Sequence, residues 1–139
     1  MSHNISNRNT ILVLLTITCI VTIFHILILT QTIPHQLVWG GKITNFSEIV
    51  VMEIISIIIN LLFGFTLLIK ASLLPLKIQE RIINGILWFY CFLFLFNTIG
   101  NLFAQTYFEK SLSLITLLIA LLLLKVLCTP YKFNENFNQ

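Results

Sequence analysis

The sequence predicts an all-α protein, an integral membrane four-helix antiparallel bundle with both termini cytoplasmic. Three observations lead there. Residues 9–41 and 82–108 contain no Lys, Arg, Asp or Glu. Of the 139 residues, 58% are hydrophobic and only 9% are charged, against about a quarter charged in a typical soluble domain. The apolar runs also reach the ~20 residues that a helix needs to cross hydrocarbon. A soluble domain of this length could not bury so much apolar surface. Helices follow because lipid supplies no partner for a free backbone N–H or C=O, and no period-two alternation marks strands. The chain reads as a single transmembrane domain, 1–139, without internal repeat.

The first helix is predicted at about 11–32. Arg8 followed by an apolar run suggests a secretory signal, but the run from Ile11 to Leu29 exceeds the ~7–15 residues of a signal core and no small-x-small site follows it. A retained helix is expected, ended by Pro34. The second helix is expected at about 46–69. Its start carries the capping pattern Asn45-x-x-Glu48, whose side chains can satisfy the open N–H groups of the first turn. Lys70 marks its end, and Pro75 blocks continuation. The third is expected at about 82–103. The fourth is expected at about 112–128, stopped by Pro130, with Lys125 long enough to reach the headgroups from the last turn. The outer loop is 33–45, and the polar residues 131–139 read as a frayed tail.

Four crossings place the N-terminus, the 70–81 loop and the C-terminus on one side. That side holds Arg8, Lys70, Lys77, Arg81, Lys125 and Lys132; the other holds Lys42 and Lys110. The excess of basic residues predicts cytoplasmic termini. The formal net charge of +3 is thereby explained by the membrane rather than by nucleic acid. Cys19, Cys91 and Cys128 form no CxxC pair and are expected as buried, small apolar side chains.

The polar residues inside the apolar runs gather toward the outer end. At 1.5 Å per residue, His25 lies roughly 10 Å from the outer end of helix one and Glu53 roughly 6–8 Å from the start of helix two. Asn97, Asn101, Ser113 and Thr116 lie in the same half, Asn60 near mid-bilayer and Asn84 at the inner edge. A carboxylate in hydrocarbon costs several kcal/mol, so Glu53 should face the bundle. Ser56, Asn60 and Gly64 follow it at spacings of 3, 7 and 11, which puts one polar and small stripe on helix two. Asn97 and Asn101 share a face of helix three. His25 is at a depth that lets it pair with Glu53 in a unit able to exchange a proton. The candidate polar pocket is therefore His25, Glu53, Asn60, Asn97 and Asn101. The plainer alternative is that these side chains are hydrogen-bonding glue between helices, or that Glu53 stays hydrated beside Lys42.

Above this cluster the loop reads Ile33-Pro34-His35-Gln36-Leu37-Val38-Trp39-Gly40-Gly41-Lys42. Gly40 and Gly41 permit a tight turn, and Trp39 suits a membrane interface. Pro34, His35, Gln36, Trp39, Gly40 and Gly41 form a candidate cap over the bundle mouth. No HExxH, GxSxG, P-loop or dinucleotide fingerprint occurs, and His3, His25 and His35 lack metal-ligand spacing. No cofactor and no metal are expected.

The run from Pro34 to Lys42, with Glu53 in the next helix and Asn97-x-x-Gly100-Asn101 in the third, resembles a group of small, uncharacterised bacterial four-helix membrane proteins. The resemblance covers nearly the whole chain and implies the fold and a bacterial inner-membrane location, but no activity. The chain is more weakly similar to EXPERA-type four-helix membrane proteins, which include sterol isomerases and a sterol-binding receptor and carry a Glu in helix two. The match there is Glu53 alone. The other acidic residue of that family's pocket has no counterpart, because this chain has no Asp.

The function expected is that of a multi-pass, non-enzymatic membrane protein, either a binder of a small hydrophobic ligand or an accessory subunit of a larger membrane complex. The alternative is a small intramembrane enzyme or proton-coupled carrier using Glu53 and His25. Partners expected are the lipid bilayer, a hydrophobic small molecule, and a second copy of the chain or a larger membrane complex, with no nucleic acid.

Overall fold

A computed structural model describes residues 2–34, 38 and 45–129. It contains four helices: α1 (Ser2–Leu29), α2 (Phe46–Lys70), α3 (Glu80–Leu102) and α4 (Tyr107–Cys128). Each is long and apolar enough to cross a membrane. The expected loop cap beyond Pro34, Lys42, and the tail 131–139 lie outside the described residues.

Three helix starts differ from expectation, each for the same reason. α1 starts at Ser2 rather than 11, α3 at Glu80 rather than 82, and α4 at Tyr107 rather than 112. Apolar runs report the part of a helix that sits in hydrocarbon, whereas its polar first turns can project beyond. The added turns of α1 pack against the bundle: Asn7 is buried, and its Nδ2 donates to the carbonyl of Thr129 at the end of α4. α4 begins earlier because Thr106 caps it, its hydroxyl accepting from the N–H of Glu109 at 3.2 Å. At the exits, α1 stops at Leu29, short of 32. There Gln31 takes a positive φ of 58° and its N–H closes onto Ile28. α2 ends on the same device. Ser72 has φ 56°, with Ser72 N–H bonded to Ile69 and Leu73 N–H to Leu68. This double bond pattern satisfies carbonyls of the last turn without the usual glycine.

The helices run up and down in chain order. α1 packs most extensively on α2 and α3 on α4, while α1 meets α4 and α2 meets α3 more sparsely. The molecule is thus two hairpins laid side by side. Their main core lies toward the chain termini, where Ile11 and Leu14 of α1, Phe63 and Leu67 of α2, Leu87 of α3 and Leu123 of α4 are fully buried. Phe63, Tyr90 and Phe94 stack there, with ring centroids 4.8 and 5.2 Å from Phe63. Gly64 faces α1, where a Cβ would make ordinary van der Waals contact with Thr18 Cγ2 at 3.7 Å. The Glu53–Gly64 stripe of α2 accordingly faces inward, with Glu53 and Asn60 buried.

The outward faces are as apolar as the inside. Phe89, Phe96 and Leu114 are 64%, 72% and 70% exposed. Two of the three cysteines follow them: Cys19 and Cys128 are exposed, and Cys91 alone is buried. The expectation of three buried thiols fails because an apolar helix offers a thiol no preference between its inner and outer faces. The terminal end is also more than plain apolar packing. Lys70 is 5% exposed at its side chain, and its Nζ donates to Glu80 Oε1 and Asn84 Oδ1, both at 2.8 Å.

Candidate functional site

At the other end the two hairpins do not close on each other. Between them lies a cavity of about 490 Å³ lined by all four helices. A smaller apolar cluster, Ile28, Val38 and Ile49 with Phe24 and Phe108 against it, covers the helix ends above. The chain order explains the location. The strongly polar side chains sit near the C-terminal ends of α1 and α3 and the N-terminal ends of α2 and α4, which an up-down bundle brings to one end. Polar side chains there take the place of the bulky apolar ones that fill the terminal half.

The geometry centres on His25 and Glu53. His25 Nδ1 stands 2.7 Å from Glu53 Oε2. Glu53 is completely buried, and the His25 side chain is 19% exposed. The pair is held from both sides: Glu53 is seven residues into α2, roughly 10 Å from its start, and His25 four residues, roughly 6 Å, from the end of α1 at 1.5 Å rise per residue. α1 ends earlier than expected, so His25 is the shallower partner. In so enclosed a place a lone carboxylate would be costly. The imidazole offsets that cost through its hydrogen bond to the carboxylate.

All five residues of the expected polar pocket line this cavity: His25, Glu53, Asn60, Asn97 and Asn101. They do not form one continuous network. Asn60 Nδ2 turns back to donate to the Ser56 carbonyl at 2.9 Å. Asn97 and Asn101 line the α3 wall, and among the described residues no hydrogen bond joins either side chain to Glu53 or Asn60. The two polar stripes therefore face each other across space instead of meeting. Of the expected cap, Pro34 is exposed at the exit of α1, whereas His35, Gln36, Trp39, Gly40 and Gly41 lie outside the described residues. Val38, an apolar residue of that loop, is buried and lines the cavity.

One polar residue of the lining was not anticipated. Glu109 is 6% exposed and lines the cavity from α4. Its Oε2 accepts from the Thr106 hydroxyl at 2.8 Å while its own N–H donates to that hydroxyl oxygen. A signal existed in the sequence: Thr106-x-x-Glu109 has the same capping spacing as Asn45-x-x-Glu48. At the latter site Asn45 Oδ1 accepts from the N–H and hydroxyl of Ser47, but Glu48 is exposed. On the cavity wall, the hydroxyl of Thr116 meets that of Thr98 at 2.8 Å and ties α3 to α4.

The remaining lining is apolar and aromatic. Phe24 and Phe108 lie with ring centroids 5.8 Å apart across α1 and α4, and Phe94, Phe96 and Ile119 continue the wall. Among the described residues no three His, Cys, Asp or Glu side chains come together to hold a metal ion. An apolar chamber of this size with a few convergent polar groups has the form of a small-molecule site. Comparisons with family models, with curated proteins and with solved structures found no match.

Proposed function

We propose that this protein is a multi-pass integral membrane protein whose inter-hairpin cavity binds a small hydrophobic ligand, without catalysing a reaction. The observation that carries the reading is the buried His25–Glu53 pair on the wall of a largely apolar cavity. The pair joins α1 to α2, as packing glue would, but it also lines a chamber that joining two helices does not require. The apolar outer faces support insertion, since an exposed surface of that kind is covered by lipid or protein. The distribution of Lys and Arg supports cytoplasmic termini, and the resemblance of the Pro34–Lys42 run supports a bacterial inner membrane. An accessory role within a larger membrane complex uses the same outer faces and is compatible with the cavity.

Glu53→Gln tests the reading. The variant keeps the size of the side chain and should accumulate in the membrane as the parent does. Because it disturbs the His25–Glu53 wall of the cavity, it should lower saturable labelling of cavity-facing peptides by a long-chain alcohol bearing a photoactivatable diazirine. Unchanged labelling in Glu53→Gln, with Glu53→Ala only lowering abundance, would reduce the pair to packing.

A second reading rests on the 2.7 Å contact itself. A His and a carboxylate sharing a proton could serve a small intramembrane enzyme or a proton-coupled carrier. A carrier of 16.0 kDa would need a second copy to build a pathway. Proton uptake by proteoliposomes that depends on both His25 and Glu53 would favour this reading over simple binding.

A further inference from the structure

Several side chains that line the cavity are also strongly exposed: Ile20 of α1 is 61% exposed, Phe96 of α3 72% and Ile115 of α4 39%. Asn97 is exposed as well. Ile20 is nine residues from the end of α1 and Ile115 eight from the start of α4, roughly 12–14 Å below the helix ends at 1.5 Å per residue. In a bilayer whose hydrocarbon is ~30 Å thick, lining side chains exposed at that level meet acyl chains rather than water. The packing between the hairpins is sparse as well.

The polar groups of the lining discriminate among possible heads. Both carboxylates are engaged within the protein, Glu53 by His25 and Glu109 by Thr106 and the first turn of its own helix. A cationic head would have to compete with those partners. No Lys or Arg occurs among the described lining residues, so the described lining offers an anionic head no basic side chain, and a charge at hydrocarbon depth costs several kcal/mol. Asn97 and Asn101 remain. They lie one turn apart, both line the cavity, and each carboxamide offers a donor and an acceptor. Exposing such a group to hydrocarbon is unfavourable unless something completes its hydrogen bonds.

We propose that the cavity takes a neutral amphiphile from the bilayer through the side of the bundle, and that Asn97 and Asn101 hold its hydroxyl-type head while its apolar body lies among the phenylalanines. The proposal rests on the ligand-binding reading above and deepens it by naming the head and the entry route. A hydroxyl matches a carboxamide because it too donates and accepts.

The test uses the full chain in phosphatidylcholine vesicles and three diazirine probes of equal chain length, ending in a hydroxyl, a carboxylate or a trimethylammonium. The hydroxyl probe should label α3 and α4 peptides saturably. Asn97→Leu/Asn101→Leu should lower that labelling about tenfold, the equivalent of ~1.4 kcal/mol and within the reach of two hydrogen bonds. Asn97→Gln should retain most of it. Leu is a favourable residue in a membrane helix, and retained helix content and monomer–dimer distribution would separate loss of binding from loss of fold. Equal labelling by all three heads, or unchanged labelling in the double variant, overturns the proposal while leaving the cavity a ligand site. A shift in oligomeric state with labelling intact also overturns it, and assigns the two Asn residues to contact between copies. No saturable labelling by any probe overturns both readings.

Discussion

His25 and Glu53 were both legible in the sequence as polar residues at comparable depth. Their pairing followed from one argument, that a carboxylate in a hydrophobic helix must find a partner in the bundle. Glu109 was not legible by that route. It stands at the edge of the apolar run, where a carboxylate looks solvated, and only the capping spacing from Thr106 marks it. The wall formed by Asn97 and Asn101 could be read as a shared face, but not as one separated from Glu53 by empty space, because helix periodicity fixes direction and not the distance between helices. The pair also makes an energetic prediction. His25→Leu removes one partner of the buried Glu53 and should destabilise by about 3–5 kcal/mol, as for a broken buried pair. His25→Leu/Glu53→Leu removes both polar groups and should recover most of that loss. Reversible unfolding in detergent micelles measures both variants. A double variant no more stable than His25→Leu would mean that the pair is not an isolated unit.

At the scale of the helix, existence was legible and starting points were not. Charge-free runs locate hydrocarbon-length segments, and Lys70 is indeed the last residue of α2. The first turns of α1 and α4 are broken up by polar and charged residues, so the apolar runs do not mark their starts; Thr106 caps α4 and Asn7 ties the early turns of α1 to the end of α4. Thr106→Ala should therefore cost about 1 kcal/mol, the usual worth of a side-chain N-cap, and should also loosen Glu109, whose carboxylate shares that hydroxyl. The Lys70–Glu80 bridge should respond asymmetrically. Glu80 is 44% exposed, so after Lys70→Met it can be hydrated in place. After Glu80→Ala the Lys70 ammonium remains buried with a lost partner, and destabilisation should be greater, by about 1–3 kcal/mol. Thermal unfolding of the two variants side by side checks the order. Equal losses would show that Lys70 relaxes toward solvent.

At the scale of the molecule, two hairpins pack tightly at the terminal end and stand apart at the loop end, and this unevenness is what creates a chamber. The same unevenness separates roles: the Phe63 core with the Lys70 bridge holds the helices in register, while the opposite half carries the side chains with chemistry. Orientation belongs to this scale too. A cysteine introduced at Lys42 in a chain lacking Cys19, Cys91 and Cys128 should react with an impermeant maleimide from outside intact cells. Labelling only from the cytoplasmic face would reverse the assignment. The central claim, that the gap between the hairpins is a filled ligand site in the membrane, is tested most directly by native mass spectrometry of the protein released gently from its own membranes. Wild type should carry a small hydrophobic species, and Ser56→Trp, which fills the cavity from α2 while keeping its helix content, should carry none. The same adduct on both proteins, or no adduct on either, would contradict the account.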